Sequence, residues 1–271
     1  MLRRVNLSWL SSGWRRDMAT ERPVLTARWS DLLLFNFAVP PELIARLAPR
    51  GTEPDLYQGQ AYISIVGFRF QNTRLFGVPI PGHTRFAEIN LRYYVRRRAS
   101  GQLRRGVVFV KEIAPRRAVA AAAKWLYNEN YIVRPMRSCI KVAGGELGAG
   151  DTIEYAWQNA RRPPLGRRAR ELCWNRLAGR VAGSLQPPAP GSMEEYIFEN
   201  YWGYVSARDL STREYRVVHE PWRVAPINDV EWDCDLAANY DGPWTEYLAV
   251  PPASAMIADG SAIQLFRGRR L

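Results

Sequence analysis

The sequence predicts an α+β fold that is mainly antiparallel β, with a barrel-like core and a few flanking helices. Segments with alternating apolar and polar residues recur along the chain, as at 61–76 and 86–95. The helical patterns between them are short, and 10 Trp and 13 Tyr suit the broad faces of β-sheets. Many strands with a few interspersed helices are typical of this class, in which closure of the sheet removes exposed edges.

The chain is expected to form one domain after a loose extension. Residues 1–23 show no clear hydrophobic period and include a second methionine, Met18. We therefore expect 1–23 to be a loose N-terminal extension, of which 1–17 contribute little to the fold. Residues 24–271 are expected to form a single domain, because no stretch longer than the Pro/Gly-rich segment 183–191 resembles a linker.

Local signals place the individual elements. Proline at 40 and 41 starts a short helix, because proline is tolerated in the first helical turn. Gly67 marks a bulge or bend inside a strand, and Ser192 with Glu195 forms a capping box that starts another helix. The expected strands are 28–39, 61–76, 86–95, 106–113, 132–142, 151–159, 168–181, 202–207, 214–219 and 262–267, and the expected helical segments are 40–47, an alanine-rich 116–127, 192–201, 235–240 and 252–258.

The net positive charge suggests a nucleic-acid-binding protein, but the distribution of the basic residues does not support this function. The formal net charge is +12, and binding to phosphates needs Lys and Arg. However, all but three of the 38 basic residues are Arg, and the Arg pairs are spread along the chain at the ends of elements. No RRM, KH, zinc-finger or helix-turn-helix signature accompanies them. A solvated basic surface is therefore favoured, and a nucleic-acid-binding protein is kept as an alternative.

Several other classes are disfavoured by composition. Cys139, Cys173 and Cys234 are an odd number at wide spacing, which argues against both a disulfide framework and a zinc site. The two histidines, His83 and His219, lie far apart, so we expect neither a metal nor a cofactor; His219 is a weaker candidate for acid/base work than for a structural role. No apolar run approaches the ~20 residues that span a bilayer. A cytoplasmic protein is expected, and a homo-oligomer is left open.

The strand at 86–95 carries the main candidate site. Glu88, Asn90 and Arg92 fall on one face with period 2, between Phe86 and Tyr94, while the opposite face is apolar. If both faces are covered, the polar trio lines a pocket in which Arg92 can bind an anionic group and Tyr94 can contact the ligand. The alternative is a solvated sheet face.

Two further groups are candidates. Lys111 is the one amine on a strand beside this region, and a buried lysine can act as a nucleophile, although a structural position at the strand end is the alternative. Tyr127, Glu129 and Tyr131 cluster where the alanine-rich helix ends; we interpret Tyr127 and Glu129 as ligand-binding residues and Tyr131 as a catalytic one, with simple packing as the alternative.

Eight short motifs follow one another along most of 24–271, at 26–29, 35–41, 88–96, 106–109, 190–192, 201–204, 220–222 and 251–255. Their order resembles the YqjF-like family of bacterial proteins of unknown function. More faintly, that family is similar to the acetoacetate decarboxylase-like superfamily. The similarity to that superfamily implies that the carboxylate of the Phe86-Ala87-Glu88 motif lines the active pocket.

One departure from the superfamily limits what the resemblance implies. Asn130-Tyr131-Ile132 stands where the superfamily has its catalytic Pro-Lys-Lys, and a phenol cannot form the imine that a lysine forms. The pocket is thus expected to bind a small, anionic organic molecule, without decarboxylation through a Schiff base unless Lys111 reaches in. Two functions are compatible with this pocket. In the first, the protein is an enzyme of lyase or hydrolase type that uses Glu88 as acid/base and Tyr131 as hydrogen-bond donor. In the second, it is a binding protein whose same residues recognise the ligand without reaction. A carboxyl pKa raised by burial would favour the enzyme, and a fully paired Glu88–Arg92 network would favour the binding protein.

Overall fold

The computed structural model describes residues 21–118, 121, 130–159, 174–207 and 209–271. The short helices are α1 (Pro41–Leu47), α2 (Met193–Phe198), α3 (Leu236–Asn239) and α4 (Trp244–Leu248). The strands are β1 (Leu25–Val39), β2 (Glu53–Pro54), β3 (Ala61–Leu75), β4 (Val78–Pro79), β5 (Phe86–Ala99), β6 (Gln102–Ala114), β7 (Tyr131–Val133), β8 (Met136–Lys141), β9 (Thr152–Gln158), β10 (Trp174–Val181), β11 (Trp202–Ser206), β12 (Thr212–His219), β13 (Val224–Asp233), β14 (Ser254–Ala258), β15 (Ala262–Leu265) and β16 (Arg269–Arg270).

Seven strands close into a ring. Strand β1 pairs with β3, and hydrogen bonding continues through β5, β6, β11, β12 and β15 back to β1. All of these pairings are antiparallel except that between β6 and β11. The α+β, mainly antiparallel fold expected from the sequence is confirmed, with a ring-like core.

A second antiparallel sheet branches from β1. The first part of β1 pairs with β15 and its later part with β14, and the sheet continues through β13, β10 and β9 to β8. The change of partner coincides with a β-bulge between Ser30 and Leu33, where Asp31 adopts φ 57°. Arg69 holds the Asp31 carboxylate with two hydrogen bonds of 2.9 and 2.6 Å. The bulge therefore lets one long strand serve both sheets.

Gly67 does not form the bulge that the sequence suggested. It keeps a regular pair with Ile89, and the extra residue lies in β1 instead. Glycine is needed at this position for another reason: a Cβ atom there would lie 2.6 Å from Cδ2 of Tyr155. The glycine thus permits a close approach between β3 and the second sheet.

Strand β5 is covered on both faces, as its alternation predicted. One face packs into a core that includes residues of β9, β10 and β13, and the other packs into a core that includes residues of α2. The first core receives Ile89, Leu91, Tyr93 and Val95, and the second receives Phe86 and Tyr94. The alternative of a solvated sheet face is therefore wrong.

The other local predictions have mixed outcomes. Helix α1 has proline in its first turn, and Ser192 caps α2 by accepting a hydrogen bond of 3.2 Å from the Glu195 amide. The helical segment expected at 252–258 is wrong, because 254–258 is strand β14. Strand β13 and helix α4 were not predicted.

Some predicted segments lie outside the described part of the chain: residues 1–20, most of the alanine-rich segment 116–127 and residues 168–173. Within that part, no helix is long and apolar enough to cross a bilayer.

Candidate functional site

A cavity of about 110 Å³ lies inside the ring and is bounded by residues of all seven ring strands. Its wall is mostly aliphatic and aromatic. The cavity is partly open to solvent, and its space approaches that of an engineered apolar cavity of about 150 Å³ that binds benzene. A small organic molecule can therefore enter it without being fully enclosed. A cluster of polar side chains interrupts the apolar wall: Glu88, Asn90, Arg92, Glu112, Tyr131, Asn200 and His219.

Strand β5 contributes the centre of this cluster. Glu88, Asn90 and Arg92 project from alternate positions, and their exposed fractions are only 2%, 2% and 7%. Phe86 precedes them on the same face and also lines the cavity. The period-2 pattern of the sequence therefore places all four side chains as it predicted.

Glu88 is a strongly perturbed acid in the cavity. The Tyr131 hydroxyl donates a hydrogen bond of 2.7 Å to Oε2, and the Asn90 amide donates a longer one of 3.5 Å to Oε1. Burial raises the pKa of Glu88 from 4.5 to about 7, against the lowering effect of both hydrogen bonds. A carboxyl group in this state can both take and give a proton near neutral pH.

Tyr131 reaches Glu88 because β7 pairs in parallel with the end of β6, which sets Tyr131 opposite Glu112. Burial raises the pKa of the Tyr131 phenol well above its usual value, and the charges of Glu112 and Glu88 raise it further. Tyr131 therefore stays protonated and acts as a donor at neutral pH.

Glu112 is a site residue that the sequence did not reveal. It is 4% exposed, lines the cavity and forms a hydrogen bond with the Tyr131 hydroxyl. A phenol carries one proton and can donate a hydrogen bond to only one carboxylate. Tyr131 can therefore form hydrogen bonds with Glu88 and Glu112 at the same time only when one of the two carboxyl groups is protonated and donates to the phenol oxygen. The three groups thus form a proton-sharing unit.

A β-bulge in β6 explains why Glu112 faces the cavity and Lys111 does not. Val107 and Phe109 line the cavity, and simple alternation would add Lys111. However, the register with β5 shifts between Leu91, opposite Lys111, and Arg92, opposite Phe109. Strand β6 thus has one extra residue between Phe109 and Lys111, which reverses the alternation of its side chains. As a result, the next side chain of β6 that faces the cavity is Glu112.

Lys111 lies outside this cluster. Its amine donates a hydrogen bond of 2.7 Å to the Asn239 carbonyl at the end of α3 and one of 3.2 Å to the Asp241 carboxylate. It is not among the residues that line the cavity. The structure places this amine where it connects β6 to a helix, next to the second sheet.

Arg92 is held by Tyr94 and by helix α2. Its Nε donates a hydrogen bond of 3.3 Å to the Tyr94 hydroxyl, and its Nη2 donates one of 3.2 Å to the Ile197 carbonyl. Tyr94 does not line the cavity; its hydroxyl lies 2.6 Å from Ser64 Oγ, which in turn donates to Asn36 at 2.6 Å. Within the described residues, no hydrogen bond joins Arg92 to Glu88 and none uses Nη1. Tyr94 is therefore placed to position Arg92.

His219 completes the polar cluster. It is 1% exposed and stacks between Tyr201 and Trp222, with ring centroids at 4.8 and 4.0 Å. Its Nδ1 lies 2.9 Å from the Glu220 carbonyl, which can only accept a hydrogen bond. Burial lowers the pKa of His219 to about 4, so the ring is neutral at pH 7.

The remaining candidates can be placed only in part. Tyr127 and Glu129 lie outside the described residues.

In the ranges that the structure covers, no group of three or more His, Cys, Asp and Glu side chains could hold a metal ion.

Comparison with known proteins identifies the family. A family model for an uncharacterized conserved protein matches residues 26–262. The chain belongs to the DUF2071 family. The uncharacterized protein YqjF of Bacillus subtilis strain 168 is 26% identical over 200 residues, which cover 73% of this chain and 74% of that protein. The resemblance to YqjF-like proteins is confirmed.

Solved structures confirm the more distant resemblance at the level of fold. An acetoacetate decarboxylase of Legionella pneumophila is 10% identical, with a TM-score of 0.57 and coverage of 93% of this chain and 88% of that chain. An acetoacetate decarboxylase-like enzyme of Sphingomonas wittichii RW1 is 13% identical, with a TM-score of 0.57 and coverage of 92% and 94%. The enduracididine biosynthesis enzyme MppR, with HEPES buffer bound, is 15% identical, with a TM-score of 0.57 and coverage of 92% and 88%. The DUF2071 chain thus has an acetoacetate decarboxylase-like fold.

Proposed function

We propose that this DUF2071 protein is an enzyme that binds a small organic acid with a carbonyl group and moves a proton on it with Glu88. The observation that carries the proposal is the buried Glu88 carboxyl, which has a pKa of about 7 and accepts a hydrogen bond from Tyr131. A strongly perturbed titratable group in a cavity is a frequent mark of acid/base catalysis. The full ion pairing between Glu88 and Arg92 that would favour a simple binding protein is not found among the described residues.

The anionic group of the ligand is assigned to Arg92. This guanidinium is 7% exposed, faces the cavity and has Nη1 available after its bonds to Tyr94 and Ile197. A buried cation next to an open cavity favours a carboxylate or similar anion. MppR, which shares the fold, has been solved in complex with pyruvate, and a small oxo acid fits the same assignment here.

The proton transfer follows from the arrangement of Glu88, Tyr131 and Asn90. The ionised Glu88 takes a proton from the carbon next to the ligand carbonyl. The C–H bond breaks, its electron pair forms a C=C bond, and the carbonyl π electrons move to oxygen, giving an enolate. The Asn90 amide is a neighbouring donor for that oxygen, and Tyr131 stabilises the ionised form of Glu88. Return of the proton to carbon or oxygen restores Glu88.

The proposed chemistry uses no imine. The phenol of Tyr131 stands at the position expected for the superfamily lysine, and the Lys111 amine bonds to Asn239 and Asp241. Decarboxylation through a Schiff base is accordingly not part of the proposal.

Deuterium exchange tests this function directly. In D₂O near neutral pH, the protein should accelerate loss of the proton NMR signals from both carbons beside the carbonyl of 4-oxopentanoate. Glu88→Gln should reduce the acceleration at least about 100-fold, the usual contribution of a general base, and the exposed Glu42→Gln is the matched control. Exchange no faster than in buffer would contradict the proposal, and binding without exchange would identify a binding protein.

A nucleic-acid function receives little support from the placement of the arginines. Arg97, Arg104 and Arg269 surround the carboxylate of Glu214, which is fully buried. Arginines engaged in this way stabilise the fold and are less available to phosphates. The cytoplasmic location and the single domain at 24–271 stay predictions, and a homo-oligomer stays open.

A further inference from the structure

The cavity has an aromatic end beside its acid/base group. Phe70 and Phe86 stack in parallel, with ring centroids 4.5 Å apart and an interplanar angle of 16°. Trp29 meets Phe68 and Phe70 edge-on, at 5.3 and 5.8 Å. All four residues line the cavity.

Strand register sets the order of these features. Phe70 lies opposite Phe86 and Phe68 opposite Glu88 in the pairing of β3 with β5. With a rise of about 3.3 Å per residue, Phe86 lies about 7 Å before Glu88 and Arg92 about 13 Å after it. Along one strand the cavity therefore presents an aromatic wall, then the acid/base group, then the cation.

The aromatic wall does not fill the space that it encloses. A well-packed core has few voids larger than a water molecule, yet these rings border a cavity of about 110 Å³. Apolar surfaces around such a space exclude water and favour a compact apolar occupant. Aromatic rings fit best, because edge-to-face and offset contacts add to the burial of area.

We infer that the substrate of this site is an aryl oxo acid, in which an aromatic ring and a carboxylate lie on opposite sides of the carbonyl group. The inference rests on the proposed function for the carbonyl and adds the ring. The ring packs against Phe70, Phe86 and Trp29, and the carbonyl lies beside Glu88. The carboxylate binds the guanidinium of Arg92, whose long side chain covers part of the distance between the two backbone positions.

Calorimetric binding to the full chain tests the inference with four probes that remove one feature at a time. The complete probe is 4-oxo-4-phenylbutanoate, which does not lose CO₂ spontaneously. The others lack the ring (4-oxopentanoate), the carbonyl (4-phenylbutanoate) or the charge (4-oxo-4-phenylbutanamide). We expect the complete probe to bind at least about tenfold more tightly than 4-oxopentanoate, from the added aromatic contacts, and more tightly than the neutral amide.

Variants locate the ring. Phe70→Leu should reduce the preference for 4-oxo-4-phenylbutanoate over 4-oxopentanoate, whereas Phe76→Leu, at an exposed surface position, should leave it unchanged. If Phe70→Leu does not fold, the probe series on the wild-type chain decides alone.

The outcomes separate this inference from the proposed function. Equal or tighter binding of 4-oxopentanoate, or no binding of either acid, overturns the aryl assignment. Deuterium exchange on 4-oxopentanoate without a ring preference would leave the proposed function standing and overturn the inference. A ring preference without exchange would support the aromatic site and contradict the proposed reaction.

Discussion

Replacing Glu88 by glutamine should make the protein more stable at high pH and change its stability little at low pH. The reason is that Glu88 is 2% exposed and its pKa rises from 4.5 to about 7 in the folded chain. The unfolded chain ionises this carboxyl freely above pH 4.5, whereas the folded chain resists ionisation until pH 7. Stability contributed by the protonated form is therefore fully present below pH 4.5 and is lost as the pH rises to about 7.

The magnitude follows from the same two values. One pKa unit corresponds to about 1.4 kcal/mol, so the change from 4.5 to about 7 destabilises the folded chain by about 3 kcal/mol above pH 7. Glutamine is neutral at every pH, so the variant lacks the destabilisation that ionisation of Glu88 causes in the folded chain. Glutamine keeps a side-chain oxygen that can accept the hydrogen bond from the Tyr131 hydroxyl, so this contact does not offset the gain.

Urea unfolding at pH 5 and at pH 9 measures the effect. The difference in unfolding free energy between Glu88→Gln and wild type should increase in favour of the variant by about 2–3 kcal/mol from pH 5 to pH 9. The exposed Glu42→Gln should show almost no such change. A difference for Glu88→Gln that is the same at both pH values would refute the reasoning, because it would mean that Glu88 ionises as easily in the folded chain as in the unfolded one.

Three other predictions concern packing, chemistry and charge. Gly67→Ala should lower the unfolding free energy by about 1–3 kcal/mol, because its Cβ would meet the Tyr155 ring at 2.6 Å, whereas Gly183→Ala, with no atom within 4 Å, should be nearly neutral. Borohydride with acetoacetate should trap no adduct on Lys111 in mass spectrometry; an adduct that vanishes in Lys111→Arg would restore Schiff-base chemistry. Affinity for random duplex DNA should be weak at physiological salt and fall steeply with added salt; submicromolar, sequence-dependent binding would instead support a nucleic-acid function.

The alternation of apolar and polar residues predicted the part of the site that lies on a regular strand. Glu88, Asn90 and Arg92 follow period 2 without interruption, so one strand pattern gave both the cavity face and the core face of β5. The motif around Glu88 also carried the resemblance to a superfamily whose fold the chain shares.

The features that escaped prediction depend on irregular or distant contacts. The bulge in β6 that exchanges Lys111 for Glu112 has no signal in an apolar run that reads as a regular strand. The support of Arg92 by Tyr94, Ser64 and Asn36 joins three strands far apart in sequence. Residues 252–258 were misread because a short segment with proline and alanine fits a helical turn or a strand equally well until its partner is known.

The measurement that tests the central claim most directly is the ionisation of Glu88 itself. Glutamate can be labelled with ¹³C at the side-chain carboxyl, and the Glu88 signal can be assigned by its absence in Glu88→Gln. Titration of the wild-type protein should show this signal changing with a midpoint near pH 7, well separated from exposed glutamates near 4.5. A midpoint near 4.5 would contradict the account, because Glu88 would then be an ordinary carboxylate with no capacity to move protons at neutral pH.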